Sequence, residues 1–238
     1  MSLQTFFISI LFLFSIGFSA FAQQENNTVK VVGKMKDVMW KGELEGKINL
    51  DTISDQSNLY GLGPVEFLTG EILIIDGKAY KSTVISDTEM KVEKTYDLKA
   101  PFFGFSTVKK WKKQDLPKHI QTIKDLELYL DEITENSPRP FMFKLSGIVE
   151  KATIHIVNLP ENAKVSSPKE AHEGQVDYFL ENENTDIVGF FSTEHQTIFT
   201  HHDTFLHMHL ITKDRLKMGH LDEVLFKKGE MKLYLPAE

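Results

Sequence analysis

Histidine is unevenly distributed along the chain and most of it falls in the last third. Nine histidines occur among 238 residues, and all but His119 follow residue 150. His207 and His209 flank a methionine within an apolar run that is typical of a β-strand. Side chains two positions apart in a strand point to the same face, so we expect these two imidazoles side by side.

A third histidine follows within reach of this pair. Residues 212–219 include Lys-Asp-Arg and a glycine, which suits a turn back to a neighbouring strand and places His220 beside His207 and His209. Three such imidazoles can hold Zn²⁺ and leave one position for a carboxylate, water or substrate. The alternative interpretation is that His207 and His209 are exposed or packed in the core and bind no metal ion, because the same His-x-His spacing occurs in such strands. The adjacent His201 and His202 would point to opposite faces of a strand, and we expect them on a loop surface.

The amino-acid composition limits the kinds of partner and metal ligand that the protein can have. Hydrophobic residues make up 41% and charged residues 26% of the chain, which is typical of a globular protein. The net charge of −7 and the absence of a long basic block argue against nucleic acid as a partner. Cysteine is absent, which excludes disulfides, thiolate ligands and thiol nucleophiles. Any metal ion must therefore be held by His, Asp or Glu.

The elements that would position these residues are mostly strands. Residues 71–75 and 78–82 are strand-like and enclose Asp76-Gly77, which predicts a β-hairpin. Further strands are expected at 102–108, 141–145, 154–157, 176–180, 187–191, 206–211 and 231–235.

One segment has helical periodicity instead. Its apolar residues recur at spacings of three and four, which predicts an amphipathic helix over 118–135, capped by Asp115 with Pro117 in its first turn. A shorter helix is expected within 46–54. The long helix separates an N-terminal half (23–138) from a β-rich C-terminal half (139–238) that carries the histidines. The pattern predicts a β-rich α+β fold. The apolar residues of the long helix are Ile120, Ile123, Leu126, Leu130 and Ile133.

The first 22 residues are typical of a secretory signal peptide. They carry no charged side chain, contain a short apolar run, and end in Ala20-Phe21-Ala22 before an abruptly polar segment. An uncleaved membrane anchor is the alternative. We expect a periplasmic or secreted protein without a membrane span after cleavage, and N-terminal sequencing of the exported chain should begin at Gln23.

Beyond the spacing alone, the histidine segment resembles the metal-binding stretch of the alpha-acetolactate decarboxylase family. His-x-His is followed by Gly-His, with His220 eleven residues after His209 and an Asp-Arg pair between them. Further similarities run in the same order along the chain, at residues 40–46, 60–71, 100–105, 136–147 and 187–191. The segment 40–46 resembles the opening helix of the family.

The resemblance implies a fold and a site. The fold is a mixed-sheet half with one main helix and a small barrel-like β half, with the metal between them, commonly as a homodimer. The implied Zn²⁺ ligands are the three histidines and Glu71, which is also assigned a catalytic role. The family adds a glutamate from its C-terminal tail, for which Glu238 is the candidate. The implied reaction converts a small hydroxy-keto acid, 2-acetolactate, to acetoin and CO₂.

The catalytic arginine of the family has no counterpart here. Alignment places His155 at that position, within Thr-Ile-His-Ile-Val. If Ile154 and Ile156 pack into an apolar layer, His155 faces the metal pocket, and the reverse register would expose it. Two alternatives therefore stay open: a zinc-binding relative that serves as a small-molecule binding module, and an enzyme for another hydroxy-keto acid.

Overall fold

The computed structural model describes residues 27–200 and 204–237. These residues form thirteen strands and three short α-helices, so the β-rich α+β class predicted from the sequence is confirmed. The proposed signal peptide, the His201-His202 pair and Glu238 lie outside the described residues. Within those ranges, no helix is long and apolar enough to cross a membrane. The strands are β1 (Lys30–Val32), β2 (Ile48–Asn49), β3 (Leu59–Pro64), β4 (Glu71–Ile75), β5 (Lys78–Val84), β6 (Met90–Lys94), β7 (Lys99–Ala100), β8 (Phe103–Thr107), β9 (Trp111–Asp115), β10 (Phe141–Ile156), β11 (Val176–Phe191), β12 (Leu206–Thr212) and β13 (Met218–Pro236), and the helices are α1 (Met35–Lys41), α2 (Ile123–Ile133) and α3 (Pro168–Ala171).

The N-terminal half contains a six-stranded antiparallel sheet with the order β1-β8-β3-β4-β5-β6. The predicted hairpin joins β4 to β5, with Ile75 paired to Lys78. Asp76 and Gly77 both have positive φ, at 49° and 68°. Two consecutive residues with positive φ give the turn whose twist matches that of paired strands, which explains the Asp-Gly sequence.

The C-terminal half contains a sheet with the order β10-β11-β12-β13-β9, in which β13 also pairs with β10. The additional pairing closes four strands into a small barrel. The short strands expected at 141–145 and 154–157 are the two ends of one strand, β10. Gly147 and a register shift lie between them. At Gly147 φ is 150°, and a Cβ would lie 1.9 Å from the Glu230 carbonyl oxygen, so only glycine fits this bend.

The main helix is shorter than its periodicity predicts. It begins at Ile123 rather than at 118, because Thr122 caps it in a reciprocal capping box with Asp125. The expected cap, Asp115, instead ends strand β9, which pairs with β13. Ile120 precedes the helix but is buried in the core. Its place in the apolar repeat therefore reflects burial and not helical structure.

Replacing Thr122 by alanine is expected to destabilise the protein by about 1 kcal/mol, because the Asp125 backbone N–H would lose its acceptor at the helix start. Urea unfolding of the variant and the wild type measures the difference. Thr52→Ala is a suitable control, since the Thr52 hydroxyl is exposed and donates only to a local carbonyl. Equal losses in the two variants would contradict the capping role.

The N-terminal segment also differs from expectation. The expected helix within 46–54 is wrong, since Ile48 and Asn49 form β2 and Leu50–Thr52 is a single 3₁₀ turn. The helix assigned to 40–46 lies earlier, at Met35–Lys41, and ends at Gly42 with a left-handed φ of 65°. A seven-residue helix shows too few turns for its periodicity to be detected.

Alternating side chains place the histidines between the two sheets. On β12, Leu206, Met208 and Leu210 fill the barrel interior, whereas Ile211 belongs to an apolar cluster shared with the N-terminal sheet. His207 and His209 have the same parity as Ile211 and therefore point toward the N-terminal sheet. The barrel core thus fixes the face on which the polar side chains lie.

Candidate metal centre

Three histidines from the β12–β13 hairpin form one buried cluster. His209 pairs directly with His220 across the two strands, and His207 lies two residues before His209 on the same face. The ring centroids are 5.1–5.5 Å apart in all three pairs. One nitrogen from each ring lies within 4.8 Å of the others. This spacing allows all three nitrogens to reach one metal ion.

A glycine allows this close packing of strands. Gly219 precedes His220 on β13, and a Cβ at this position would lie 2.5 Å from the carbonyl oxygen of His155 on β10. The backbones of β13 and β10 therefore meet more closely than a larger residue permits. His220 pairs directly with His155, so the residue before His220 must pass close to the β10 backbone. This packing requirement explains why a glycine precedes His220.

A carboxylate from the other sheet lies against one histidine of the cluster. Glu71 opens β4 and shares its parity with Leu73 and Ile75, which pack toward the barrel. Its Oε2 atom lies 3.6 Å from His209 Nε2, and its side chain is 4% exposed. The Val157 backbone N–H donates to Glu71 Oε1 at 3.3 Å. Each sheet thus contributes part of one site.

His155 lies beside these four residues. Its ring stacks on His220 with centroids 4.6 Å apart and an interplanar angle of 26°. Its Nε2 atom lies 4.0 Å from Glu71 Oε1. Ile154 and Ile156 are fully buried in the barrel core. The backbone therefore adopts the first of the two registers considered from the sequence, with His155 facing the cluster.

Burial changes the protonation of the cluster. Burial raises the pKa of Glu71 to about 8, although the charge of His155 and the Val157 N–H act against this shift. Burial lowers the pKa of His209 to about 3, and the charge of His155 adds to the effect. His209 is therefore neutral at physiological pH, which is the form that binds metal.

His155 shifts in the opposite direction. Burial lowers its pKa, but the hydrogen bond and charge of Asp222, together with the charge of Glu71, outweigh burial and raise the pKa above 6.5. The imidazolium form of His155 is thus more populated than in a free histidine.

The donor set fits a divalent metal ion. Both ring nitrogens of His209 are buried, and neither makes a hydrogen bond to the part of the chain that the structure describes. An unpaired buried imidazole is costly, and a metal ion at Nε2 would remove that cost. Three imidazole nitrogens and one carboxylate oxygen match the ligands of Zn²⁺ and other first-row divalent ions.

A cavity lies at one edge of this group. A space of about 370 Å³ lies between α2 and the β12–β13 hairpin, and His220 and Asp222 form part of its wall. Glu127 of α2 lines the opposite side. The volume is sufficient for a small organic acid.

Sequence reasoning missed Asp222. It lies two residues after His220 on β13, and both of its carboxylate oxygens are 2.8 Å from His155 Nδ1. No local pattern indicates this contact, because a bulge in the pairing of β10 with β13 turns Asp222 toward His155. His172, also unassigned, contacts the His155 ring edge-on at a centroid distance of 6.0 Å.

Buried imidazoles and a carboxylate, held between an antiparallel β-sheet half and a small barrel, define this class of site as a candidate mononuclear metal centre. The profile of the family described as "Alpha-acetolactate decarboxylase" matches residues 33–236. The chain belongs to the alpha-acetolactate decarboxylase family.

Relatives that carry this name match the chain, and solved structures share its fold. The chain is 25% identical over 195 residues to "Alpha-acetolactate decarboxylase" of Lactococcus lactis subsp. cremoris (strain MG1363), covering 81% of this chain and 78% of the relative. It is 24% identical over 196 residues to the Brevibacillus brevis protein of the same name, covering 81% and 65%. The alpha-acetolactate decarboxylase structure from Bacillus subtilis strain 168 matches with a TM-score of 0.72 at 20% identity, covering 88% and 86%. A Staphylococcus aureus structure described as similar to that enzyme, but of unknown function, also has a TM-score of 0.72, at 18% identity and the same coverage.

Proposed function

We propose that this protein is a metal-dependent decarboxylase that converts 2-acetolactate to acetoin and CO₂, with Zn²⁺ held by His207, His209, His220 and Glu71. The observation that carries the proposal is that two separate sheets bring three buried imidazoles and one buried carboxylate together in a member of this family. When bound, the ion supplies Lewis acidity that stabilises negative charge on substrate oxygens as CO₂ departs.

A cation is needed to orient the substrate carboxylate, and arginine is not available for this role. The sequence contains two arginines. Arg139 binds Asp131 at 3.2 Å and stacks on Phe141, and Arg215 binds Asp186 at 3.0 Å. Both side chains are therefore engaged by groups outside the histidine cluster.

His155 is the candidate for this role. Its ring faces the cluster, and the acidic groups beside it favour its cationic form. In the proposed reaction the bond between the carboxylate and its carbon breaks, and the electron pair stays on that carbon. Until CO₂ leaves, His155 Nε2 donates a charge-assisted hydrogen bond to the substrate carboxylate, and the carbon is then protonated by a proton from water. One proton is consumed for each CO₂ released.

The second candidate function is a catalytically altered relative that binds a small hydroxy-keto acid or acts on another one. The observation that favours it is the histidine at the arginine position, because imidazole lacks the bidentate fork that matches a carboxylate. The two functions differ in whether acetoin forms from 2-acetolactate at all.

His155→Arg is expected to raise acetolactate turnover about tenfold to hundredfold, because one charge-assisted contact contributes roughly 1.5–3 kcal/mol. His155→Ala is expected to lower turnover while leaving the bound zinc unchanged. Acetoin and CO₂ are measured with purified zinc-loaded protein, and metal content is measured on the same samples.

These variants separate the proposed function from its alternatives. Turnover by the wild type that falls in His155→Ala supports the decarboxylase. If zinc is retained but neither the wild type nor His155→Arg forms acetoin, the substrate is not acetolactate and the second function is favoured.

A further inference from the structure

The cluster includes a histidine–aspartate pair that the proposed reaction does not yet use. Asp222 Oδ1 and Oδ2 both lie 2.8 Å from His155 Nδ1. The His155 side chain is 6% exposed and that of Asp222 is 30% exposed, so the carboxylate reaches the buried ring from the rim of the site. A carboxylate accepts only, so Nδ1 must donate the proton of this hydrogen bond.

An irregularity in the barrel places Asp222 there. Between β10 and β13, Thr153 pairs with Glu223 and Ile154 pairs with Leu221, which leaves Asp222 as the extra residue of a β-bulge. An extra residue in one strand re-aims its side chain and bends the strand, and such bulges are common beside active sites. The bulge turns Asp222 toward the ring of His155, which pairs with His220.

The hydrogen bond fixes which nitrogen faces the cluster. The ring also stacks on His220 and meets the edge of His172. Ring–ring contacts of this kind do not distinguish the two ring nitrogens. With Nδ1 bound to Asp222, Nε2 is directed toward Glu71 Oε1, at a distance of 4.0 Å.

We propose that Asp222 is a positioning residue that holds the His155 ring with Nδ1 protonated and Nε2 directed at the substrate. The proposal rests on the proposed function for the identity of the substrate, but its structural part does not depend on that identity. Carboxylates that orient a histidine in this way fix its tautomer and ring orientation, and their removal typically costs a factor of about 10–100 in activity.

The test compares Asp222→Ala with Glu223→Ala. The control removes a carboxylate from the neighbouring position of β13, where Glu223 lines a different cavity from that beside His220. Nitrogen-15 NMR of histidine-labelled, zinc-loaded protein reports which ring nitrogen of His155 is protonated, above the pH at which the ring titrates. Zinc content and acetolactate kinetics are measured on the same samples.

We expect Nδ1 of His155 to be protonated in the wild type and in Glu223→Ala, and mixed tautomers in Asp222→Ala. Asp222→Ala should retain its zinc and lose about 10–100-fold in kcat. In the His155→Arg background, where no imidazole needs orienting, the same change should cost less than about threefold, because the Asp222 and His155 effects are coupled.

Three results would overturn the proposal: a His155 tautomer that does not change in Asp222→Ala, loss of zinc in that variant, or an equal activity loss in Glu223→Ala. Loss of zinc would make Asp222 a ligand, which its 3.9 Å distance to His220 Nε2 would then explain. If the wild type forms no acetoin, the proposed function fails, and the tautomer measurement still decides the role of Asp222.

Discussion

Replacing His207 by alanine is expected to release most of the bound zinc during purification. Structural zinc sites with four protein ligands bind with about 10–16 kcal/mol, so the loss of one ligand should cost roughly 3–4 kcal/mol, a factor of several hundred in affinity. The remaining ligands, two imidazoles and a carboxylate, hold the ion much less firmly. Elemental analysis and competition with a chromogenic chelator measure content and affinity.

The matched control is His119→Ala. His119 is exposed between β9 and α2 and lies outside the cluster, so this variant also removes one imidazole but should keep its zinc. A wild type without stoichiometric metal would rule out the site. Equal zinc content in His207→Ala and the wild type would exclude His207 as a ligand.

Glu71→Gln is expected to act in opposite directions on metal binding and on the stability of the metal-free protein. Burial raises the pKa of Glu71 to about 8 from 4.5, so between these values the folded protein keeps a proton that the unfolded chain loses. The stability of the metal-free wild type should therefore fall as the pH rises from 4.5 to 8. Each unit of the shift corresponds to about 1.4 kcal/mol.

Glutamine has the shape of glutamate without its charge, so the metal-free Glu71→Gln protein should be about 2–4 kcal/mol more stable at pH 7.5. At pH 4.5 the two proteins should have similar stability. Zinc affinity should fall, because a neutral amide replaces the carboxylate ligand. Urea unfolding at both pH values and zinc calorimetry measure the two effects.

Glu89→Gln is the control for this experiment. It removes an exposed carboxylate from the same half of the protein and should change neither stability nor zinc affinity appreciably. A metal-free Glu71→Gln protein that is less stable than the wild type at pH 7.5 would show that Glu71 is ionised and well solvated in the folded state.

Local sequence patterns predicted the hairpins and the histidine cluster because both depend on short-range geometry. The His207–His209 spacing, the turn before His220 and Asp76-Gly77 each act over a few residues of one strand or turn. The partnership of Glu71 with these histidines was implied only by family resemblance. Glu71 and His209 are distant in the sequence, and no local pattern indicates which sheet faces which.

The start of the main helix and the position of Asp222 could not be predicted, for related reasons. The apolar period continues through Ile120, but a local capping box at Thr122 determines where the helix begins. Asp222 is turned toward His155 by a bulge in the pairing of β10 with β13, which depends on long-range register. The two-residue alternation of a strand predicts the direction of its side chains only where its pairing is regular. It therefore fails where a strand contains an extra residue.

In the proposed function, a metal ion held between the two sheets is required for the decarboxylation of 2-acetolactate. The most direct test adds zinc stepwise to metal-free protein and follows acetoin and CO₂ with 2-acetolactate as substrate. We expect both products to form in equal amounts and turnover to rise until one zinc is bound per chain. Acetoin formation at the full rate without metal, or none at one zinc per chain, would contradict the proposed function.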